Sequence, residues 1–479
     1  MTRLKQLISP FRVALSPAAC SLDLGDGSER GEYVNQDYIL TTLGRPHRAI
    51  SLMYCYYPLT RGWPKRASLA HPKDGKKGAW DYPYDDYFPF RGGPKGDAES
   101  GAFQQMRDIR RHGQEVTLTL TMDCAVPDGH IRAISRQLKP YGRMRLRLNH
   151  ECDGFWFVYN KRYTYKQVAD FFVRFAGILK QEAPNVQLIC CWGHMDDHKT
   201  GRLRHEKDLA PILRPADVWS ADQYVTLHYS WPLKPCEPED RGKTHKIVGV
   251  DEVWRQLTGI HRRFTQLSGE DKGLEIGEFN TDGNVGGESY QLSLTENFYR
   301  RVLKEKPEFL RGITYYQFRD RGRLGLERED PNNPENGLPI PFMAVYKKII
   351  QESYFQPGEA WSQLKGPPTM EWRASDDSDG LGWKISLRGR PIFLELSFEK
   401  KANLMIRAGK KWLYKKPGVD LIDVTMAALQ WGTAKPFPVV VFAPPADGMN
   451  PGGSKGVYTK LDRPPLMRLL YQWKKSKGR

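Results

Sequence analysis

Short runs of alternating apolar and polar residues recur along the first 350 residues, and segments with the apolar spacing of amphipathic helices separate them. Alternating runs predict β-strands, and a regular exchange of strands and helices predicts a parallel sheet. Eight strands of this kind predict a closed (β/α)8 barrel, the TIM barrel. The eight predicted strands span residues 12–16, 48–57, 115–124, 143–149, 186–193, 222–229, 273–279 and 311–318.

The pattern changes after residue 355. Short alternating runs now follow one another directly, separated by turns rich in Gly, Lys and Pro. Such runs predict a small all-β fold of the sandwich or jelly-roll type. We therefore expect two domains, a (β/α)8 barrel over residues 1–355 and a β-sandwich-like accessory domain over residues 356–479.

Residues 58–101 have neither a helical nor a strand period and are rich in Gly, Pro and aromatic residues. A loop of this length usually shapes a binding site or is disordered. Because the loop follows the second predicted strand, it should lie on the C-terminal face of the barrel, where the active sites of TIM barrels are found. Its basic residues suit either a solvated loop or an anionic sugar chain, because aromatic residues alternate with them. They are Lys73, Lys76, Lys77 and Arg91.

Two glutamates close two of the predicted strands. Glu151 follows the fourth strand in the run N-H-E-C-D-G-F-W, and Glu278 closes the seventh in G-L-E-I-G-E-F. Carboxylates at the C-terminal ends of barrel strands face the same mouth. A pair of carboxyl groups about 5–5.5 Å apart is what a retaining glycosidase needs, one as acid/base and one as nucleophile.

The run R-L-N-H-E-C-D-G over residues 147–154 resembles the R-x-x-H-E-x-N-G signature of family 26 glycoside hydrolases, which are largely β-mannanases. Those enzymes are clan A (β/α)8 barrels whose two glutamates close strands four and seven. The resemblance implies that Glu151 is the acid/base and Glu278 the nucleophile of a retaining β-glycoside hydrolase. The chain departs from the family at Asp153, where the family has Asn, and at Asn280, where it has Gly.

The resemblance also implies a tyrosine at the end of strand six that holds the nucleophile, which would be Tyr229, and an aromatic floor after strand eight, which would be Tyr316. Strand alternation predicts that Arg147 lies on the face opposite His150, where its guanidinium could keep the nucleophile ionised. His150 itself could hydrogen-bond the nucleophile or a sugar hydroxyl. The full set of predicted substrate-binding residues is Arg147, His150, Trp156, Trp192, His228, Tyr229 and Tyr316.

Charge and composition refine the choice of partner. The chain has 73 Lys and Arg against 56 Asp and Glu, a net charge of +17, which favours a polyanionic partner. The basic residues are spread over the whole chain in no nucleic-acid-binding motif, which argues against nucleic acid as the partner. The 12% of aromatic residues suits stacking on sugar rings. Arg319, Arg321 and Arg323 after strand eight add charge near the mouth, which favours an anionic glycan over a neutral one.

The remaining patterns exclude other classes. Seven cysteines, without a C-x-x-C pair, indicate neither a disulfide framework nor a zinc motif. His194 and His198 have the spacing of a zinc helix but lack the glutamate base of H-E-x-x-H, so we predict no metal and no cofactor.

No apolar run is long enough to predict a membrane span. The first twenty residues make a poor signal peptide, and we expect a secreted or periplasmic protein whose signal has been removed, with an intracellular location as the alternative.

The leading interpretation is therefore a retaining hydrolase of β-glycosidic bonds in a polysaccharide, an anionic or sulfated one if the charge serves binding. A non-catalytic glycan-binding barrel is the alternative, and a nucleic-acid-binding protein is a third. The separation of Glu151 and Glu278 distinguishes the first two, and the salt dependence of binding distinguishes the third. The sequence carries no signal for the oligomeric state.

Overall fold

The computed structural model describes all residues except 1–11, 17, 27–32, 46, 65–86, 112–113, 142–143, 194, 198–200, 227–247, 321–322, 357, 362–369, 376–377, 386–390, 398–403, 416–420, 433, 443–465 and 472–479. The chain divides into two compact units. The barrel unit comprises Ala18–Lys139 and Met144–Gln356, and the β unit comprises Met1–Pro17, Pro140–Arg143 and Pro357–Arg479.

Strands and helices alternate through the barrel unit, whereas the β unit consists mainly of strands. The strands are β1 (Arg12–Ser16), β2 (Ser21–Gly25), β3 (Ala49–Tyr56), β4 (Phe88–Pro89), β5 (Glu115–Met122), β6 (Met144–Leu148), β7 (Val186–Cys191), β8 (Met195–Asp197), β9 (Arg202–Leu203), β10 (Val218–Tyr224), β11 (Leu274–Asn280), β12 (Leu310–Tyr315), β13 (Arg319–Asp320), β14 (Glu327–Asp330), β15 (Asn333–Pro339), β16 (Gly358–Trp361), β17 (Met370–Ser375), β18 (Ser378–Ile385), β19 (Pro391–Ser397), β20 (Leu404–Ala408), β21 (Lys411–Lys415), β22 (Leu421–Asp423), β23 (Phe437–Phe442) and β24 (Leu466–Tyr471). The α-helices are α1 (Gln36–Leu43), α2 (Gly101–Arg111), α3 (Asp128–Leu138), α4 (Val158–Arg162), α5 (Tyr165–Glu182), α6 (Glu206–Leu209), α7 (Val250–Ser268), α8 (Gly283–Gly286), α9 (Glu288–Glu305), α10 (Phe342–Ile349) and α11 (Thr425–Trp431).

Eight parallel strands close the barrel in the order β2, β3, β5, β6, β7, β10, β11 and β12, and β12 pairs with β2 again. The pairing of β3 with β5 is the longest, in continuous register from Ala49↔Glu115 to Tyr56↔Met122. Long helices between the strands bury one apolar face each, as α5 does with Phe171 and Phe175. The predicted TIM barrel is thus confirmed.

The prediction for the first barrel strand is wrong. Residues 12–16 form β1, which pairs antiparallel with β16 in the β unit. The first barrel strand is β2, with the sequence S-L-D-L-G and every residue buried. The sequence pattern hides this strand because a charged residue, Asp23, occupies a core position in its centre.

Asp23 belongs to a layer of buried ion pairs inside the barrel. Arg145 of β6 donates to Asp23 at 2.9 Å and to Glu275 of β11 at 2.5 Å, and Arg48 pairs with the same two carboxylates. Each buried charge therefore has a partner of opposite sign, as burial of a charge requires. Since side chains of a strand alternate, Arg147 also faces the interior, one layer nearer the C-terminal mouth.

The β unit contains antiparallel sheets, as predicted. One sheet has the order β17-β18-β23-β20-β21, a second has the order β22-β19-β24, and β1 with β16 forms a two-stranded sheet. The unit also takes in residues 1–17 and 140–143, which the sequence pattern assigns to the barrel. In the part of the chain that the structure describes, no helix is both long and apolar enough to cross a membrane.

Candidate active site

The C-terminal ends of the fourth to seventh barrel strands bring a group of polar side chains together inside the barrel. We call this group the strand-end cluster. β6 contributes Arg147 and, just after its end, His150, while β7 and β10 contribute a thiol, a carboxyl and a phenol and β11 contributes a second carboxyl. Its members are Arg147, His150, Cys191, Asp222, Tyr224 and Glu278.

A β-bulge in β11 turns Glu278 into this cluster. Ala221 and Gln223 of β10 pair with Ile276 and Phe279 of β11. Only one residue lies between the two partners on β10, whereas two residues, Gly277 and Glu278, lie between them on β11. The inserted residue breaks the alternation, so Gly277 and Glu278 both face inward. Gly277 is required there, because a Cβ atom would lie 2.5 Å from Oδ1 of Asp222.

Glu278 is 6% exposed and contacts a partner at each carboxylate oxygen. The Tyr224 hydroxyl donates to Oε2 at 2.5 Å, and Nε2 of His150 lies 3.0 Å from Oε1. Burial alone would raise the pKa of the Glu278 carboxyl, but the adjacent His150 and Arg147 lower it to about 2. The carboxylate is therefore ionised at neutral pH and fixed in orientation.

Arg147 and His150 lie on the same side of the barrel wall, contrary to the prediction. Nη1 of Arg147 is 3.5 Å from Nδ1 of His150 and 3.7 Å from Oε1 of Glu278. The alternation ends at Asn149, whose backbone is left-handed with φ 49°. Its side chain accepts a hydrogen bond from the Met122 amide, and His150 is thereby turned toward the mouth.

Glu151 stands next to the cluster on the strand-four loop. Its backbone is also left-handed, with φ 50°, and the indole N–H of Trp156 donates to Oε2 at 2.9 Å. Trp156 is partly buried, and it packs over Gly154, where a Cβ atom would lie 2.7 Å from the indole ring. The negative charge of Glu151 is among the causes that raise the pKa of His150, which places it within electrostatic range of the cluster.

The strand-six tyrosine is not where the sequence motif predicts it. β10 spans Val218–Tyr224 rather than residues 222–229, and Tyr224 makes the hydrogen bond that was expected of Tyr229. Tyr229 and His228 both lie outside the described residues. The alternation of Ser220, Asp222 and Tyr224 along the inward face is the signal that could have found the register.

Asp222 is a functional candidate that the sequence analysis missed. Its side chain is 2% exposed, its Oδ2 lies 3.3 Å from Nε2 of His150, and the Cys191 thiol donates to the same oxygen at 3.2 Å. Burial raises the pKa of Asp222, the positive charge of His150 opposes this rise, and the negative charge of Glu278 adds to it. In turn, although burial alone would lower the pKa of His150, the two carboxylates raise it to about 9.

The two remaining predicted aromatic ligands differ in their placement. Tyr316 follows β12, is 4% exposed, and lies edge-on to Tyr224 with ring centroids 6.3 Å apart, so it adjoins the cluster. Trp192 is completely buried, packs on Phe264 of α7, and donates its indole N–H to the Arg204 carbonyl. The structure therefore places Trp192 in the packing between barrel and helices rather than at the mouth.

Two of the described arginines near the mouth pair with acidic partners. Arg162 donates to Asp123 at 2.8 Å and lies over the Tyr57 ring, at 5.4 Å from its centroid. Arg319 is buried and pairs with Glu327 at 3.0 Å. Of the predicted basic loop, only Arg91 is described, and it is exposed; its three lysines, and also Arg321 after strand eight, lie outside the described residues.

No protein-family model matches the chain, and no curated protein matches it in sequence. Several solved structures match in fold. A family 39 glycoside hydrolase from the gut symbiont Bacteroides cellulosilyticus WH2 is 11% identical with a TM-score of 0.43, over 91% of this chain and 83% of that one. AbfB, a family 51 α-L-arabinofuranosidase from Bifidobacterium longum, is 10% identical with a TM-score of 0.44, over 91% of this chain and 98% of that one.

An FMN-binding β-glucuronidase from Facaelibacterium prausnitzii L2-6 is 10% identical with a TM-score of 0.40, over 88% of this chain, which spans 54% of that protein. The first two belong to families 39 and 51, and family 26 is not shown, so that resemblance stays a prediction. Since identity and score are low throughout, these likenesses show the fold and not the reaction.

Proposed function

We propose that this protein is a retaining β-glycoside hydrolase that acts on a polysaccharide, with Glu278 as nucleophile and Glu151 as acid/base. The observation that carries the proposal is the state of Glu278. It is a buried carboxylate at the end of barrel strand seven, turned inward by a bulge, kept ionised by His150 and Arg147, and oriented by Tyr224. A second carboxylate, Glu151, follows strand four, where a retaining hydrolase of this fold needs its acid.

In the first step, the Glu278 carboxylate attacks the anomeric carbon and forms a glycosyl ester. The bond from that carbon to the leaving oxygen breaks, and the Glu151 carboxylic acid gives its proton to this oxygen. In the second step, the Glu151 carboxylate takes a proton from water, the water oxygen attacks the anomeric carbon, and Glu278 leaves as carboxylate. The anomeric configuration is inverted twice and so retained.

The environments of the two glutamates suit these different roles. Glu278 has cationic neighbours, which favour the charged form that a nucleophile needs. Glu151 accepts a hydrogen bond from the neutral indole N–H of Trp156, a partner that does not fix its charge as a cation would, which suits a group that alternates between acid and base. Trp156 also offers a flat apolar face beside the reacting bond, where a sugar ring would stack.

The substrate class follows from the net charge. A surplus of seventeen positive charges favours an anionic polysaccharide, carboxylated or sulfated. Near the mouth, however, Arg147, Arg162 and Arg319 each pair with a carboxylate, so these three offer little free positive charge to the sugar at the cleavage point. Recognition of the anionic groups would then fall to basic residues farther from the bond that is cleaved.

The test is release of reducing ends from a panel of neutral, uronic and sulfated polysaccharides by the full chain. Glu151→Gln and Glu278→Gln should each abolish release, whereas Glu296→Gln, a helix-surface variant that loses only its pair with Arg300, should not. Retained binding without release would favour the non-catalytic glycan-binding barrel. Binding to nucleic acid alone, steeply dependent on salt, would favour the third alternative.

Azide rescue then distinguishes the nucleophile from the acid/base. The substrate is an activated aryl glycoside of the sugar that the panel identifies. With Glu151→Ala, azide should restore turnover and give a glycosyl azide of retained configuration, because Glu278 still forms the ester. With Glu278→Ala, any azide product should have inverted configuration. The opposite assignment of products would refute the proposed roles while leaving the hydrolase itself intact.

A further inference from the structure

Three different metal-ligating side chains of the strand-end cluster converge on one point. The Sγ atom of Cys191, a ring nitrogen of His150 and a carboxylate oxygen of Asp222 all lie within 4.8 Å of one another. Among the described residues, no other group of three His, Cys, Asp or Glu side chains does so. All three side chains are buried, so the convergence is fixed by the barrel strands that carry them.

The separations match the edges of a tetrahedral metal site. Zinc bonds of about 2.0 Å to oxygen, 2.0–2.1 Å to nitrogen and 2.3 Å to sulfur give edges of about 3.3 Å between N and O and about 3.5 Å between S and O. In the structure, Nε2 of His150 is 3.3 Å and Sγ of Cys191 is 3.2 Å from Oδ2 of Asp222. A fourth donor, Oε1 of Glu278, lies 3.0 Å from the same nitrogen.

A second observation points to a cation at this place. Oδ1 of Asp222 is a buried oxygen with no hydrogen-bond partner, and Oε1 of Glu278 meets His150 and Arg147 as ion pairs rather than through a well-directed hydrogen bond. Buried acceptors of this kind are rare, because leaving one unsatisfied costs about 1–3 kcal/mol. A cation held by Asp222 and Glu278 would place a positive charge beside both carboxyl groups. With Cys191 as thiolate, three negative groups would then balance Arg147 and one divalent ion.

We propose that Cys191, His150 and Asp222, with Glu278 as fourth ligand, form a binding site for a single thiophilic divalent cation, Zn²⁺ or Cd²⁺. A thiolate and an imidazole select such ions over Mg²⁺ and Ca²⁺, which prefer oxygen ligands only. On binding, the thiol proton of Cys191 and the Nε2 proton of His150 leave to solvent, and the ion takes their place. No residue is oxidised or reduced.

The ion would act as an inhibitor. It would take the lone pair of Oε1 of Glu278, the candidate nucleophile, and the Nε2 atom of His150 that faces it. Glycoside hydrolysis would therefore stop while the ion is bound and resume when a chelator removes it. This consequence rests on the proposed function, whereas the binding itself does not.

The chain offers a matched control, because Cys190 and Cys191 are adjacent and both buried. Strand alternation sends Cys191 to the barrel interior, where it meets Asp222, and sends Cys190 to the opposite face. Cys190→Ser and Cys191→Ser make the same chemical change one residue apart. Only the second removes a ligand.

The experiment titrates the full chain with Cd²⁺ alone, and binding is monitored through the ultraviolet charge-transfer band of a cadmium thiolate. Separate titrations with Zn²⁺ and with Mg²⁺ are measured by calorimetry. We expect one Cd²⁺ per chain with a thiolate band, retained in Cys190→Ser. In Cys191→Ser we expect loss of the band and a weaker affinity. Loss of a residue that only hydrogen-bonds a metal ligand lowers metal affinity roughly 10–100-fold, so loss of the ligand itself should lower it by at least as much. Equal thermal melts of the two variants without metal check that both fold.

Three results would overturn the proposal: no stoichiometric binding to the wild type, equal weakening in both variants, or binding without a thiolate band. An activity arm uses the substrate identified above. Zn²⁺, but not Mg²⁺, should inhibit the wild type and Cys190→Ser reversibly. Binding without any hydrolytic activity to inhibit would leave the metal site in place and refute only the proposed function.

Discussion

Replacement of Tyr224 by Phe tests how the ionised state of Glu278 is maintained. The hydroxyl donates a 2.5 Å hydrogen bond to a buried carboxylate, and bonds to charged groups contribute about 1.5–3 kcal/mol. Since one pKa unit corresponds to about 1.4 kcal/mol, loss of this bond should raise the pKa of Glu278 by about 1–2 units. From about 2 in the wild type, it would move to about 3–4 in Tyr224→Phe.

Stability should follow the same linkage. A carboxyl whose pKa is lower in the folded chain stabilises the fold above its unfolded pKa of about 4.3, and this contribution is lost as the pH falls through the folded pKa. Urea unfolding at pH 7 should therefore show Tyr224→Phe to be less stable by about 1.5–3 kcal/mol. The difference should shrink steadily between pH 4 and pH 2, because both proteins then carry a protonated Glu278.

Tyr54→Phe is the control, because it removes a hydroxyl that donates a 2.6 Å hydrogen bond to Gln105, an uncharged partner on the outside of the barrel. It should cost stability without the pH dependence. With substrate, the acid limb of the kcat/KM profile should move up by about 1–2 units in Tyr224→Phe only. An unchanged limb, or an equal displacement in Tyr54→Phe, would refute the reasoning.

Two further variants test the barrel and the mouth. Arg145→Met should destabilise the protein by about 3–5 kcal/mol in urea unfolding, because it leaves buried carboxylates short of a partner, and adding Glu275→Gln should recover part of the loss; a single variant as stable as the wild type would contradict the ion layer. Gly154→Ala should lower kcat, since its Cβ would displace the Trp156 indole from the candidate acid/base, whereas Gly129→Ala, with open space around its Cβ, should leave kcat unchanged. Equal kcat values in the two glycine variants would count against a role for this indole.

The barrel could be predicted from the sequence because apolar residues alternate regularly along most of its strands. β5, for example, reads E-V-T-L-T-L-T-M, and threonine is small and β-branched enough to face the interior. β2 was missed because Asp23 makes it read as a turn. Its charge is tolerated only because Arg48 and Arg145 arrive from distant parts of the chain, and no local pattern reveals such partners.

At the site, motif and periodicity differ in what they predict. Regular alternation along β11 would turn Glu278 away from the interior, and the motif alone located it. For the strand-six tyrosine, the motif predicted the type of residue but not its position. The position depends on the register of β10 against β11, which selects Tyr224. Asp222 was missed because a buried carboxylate has no sequence signal until the residues facing it are known.

The bulge in β11 has a genetic consequence. Deletion of one residue from a strand normally reverses the facing of every residue after it. Loss of the Glu278 codon would instead remove the inserted residue, leaving Gly277 inward, Phe279 outward and the pairing with both neighbouring strands in register. A chain with this in-frame deletion would keep its barrel, its buried ion pairs and its aromatic mouth, but would lose the candidate nucleophile. Under the proposed function, a sugar-binding pseudoenzyme is therefore a single codon away from this protein.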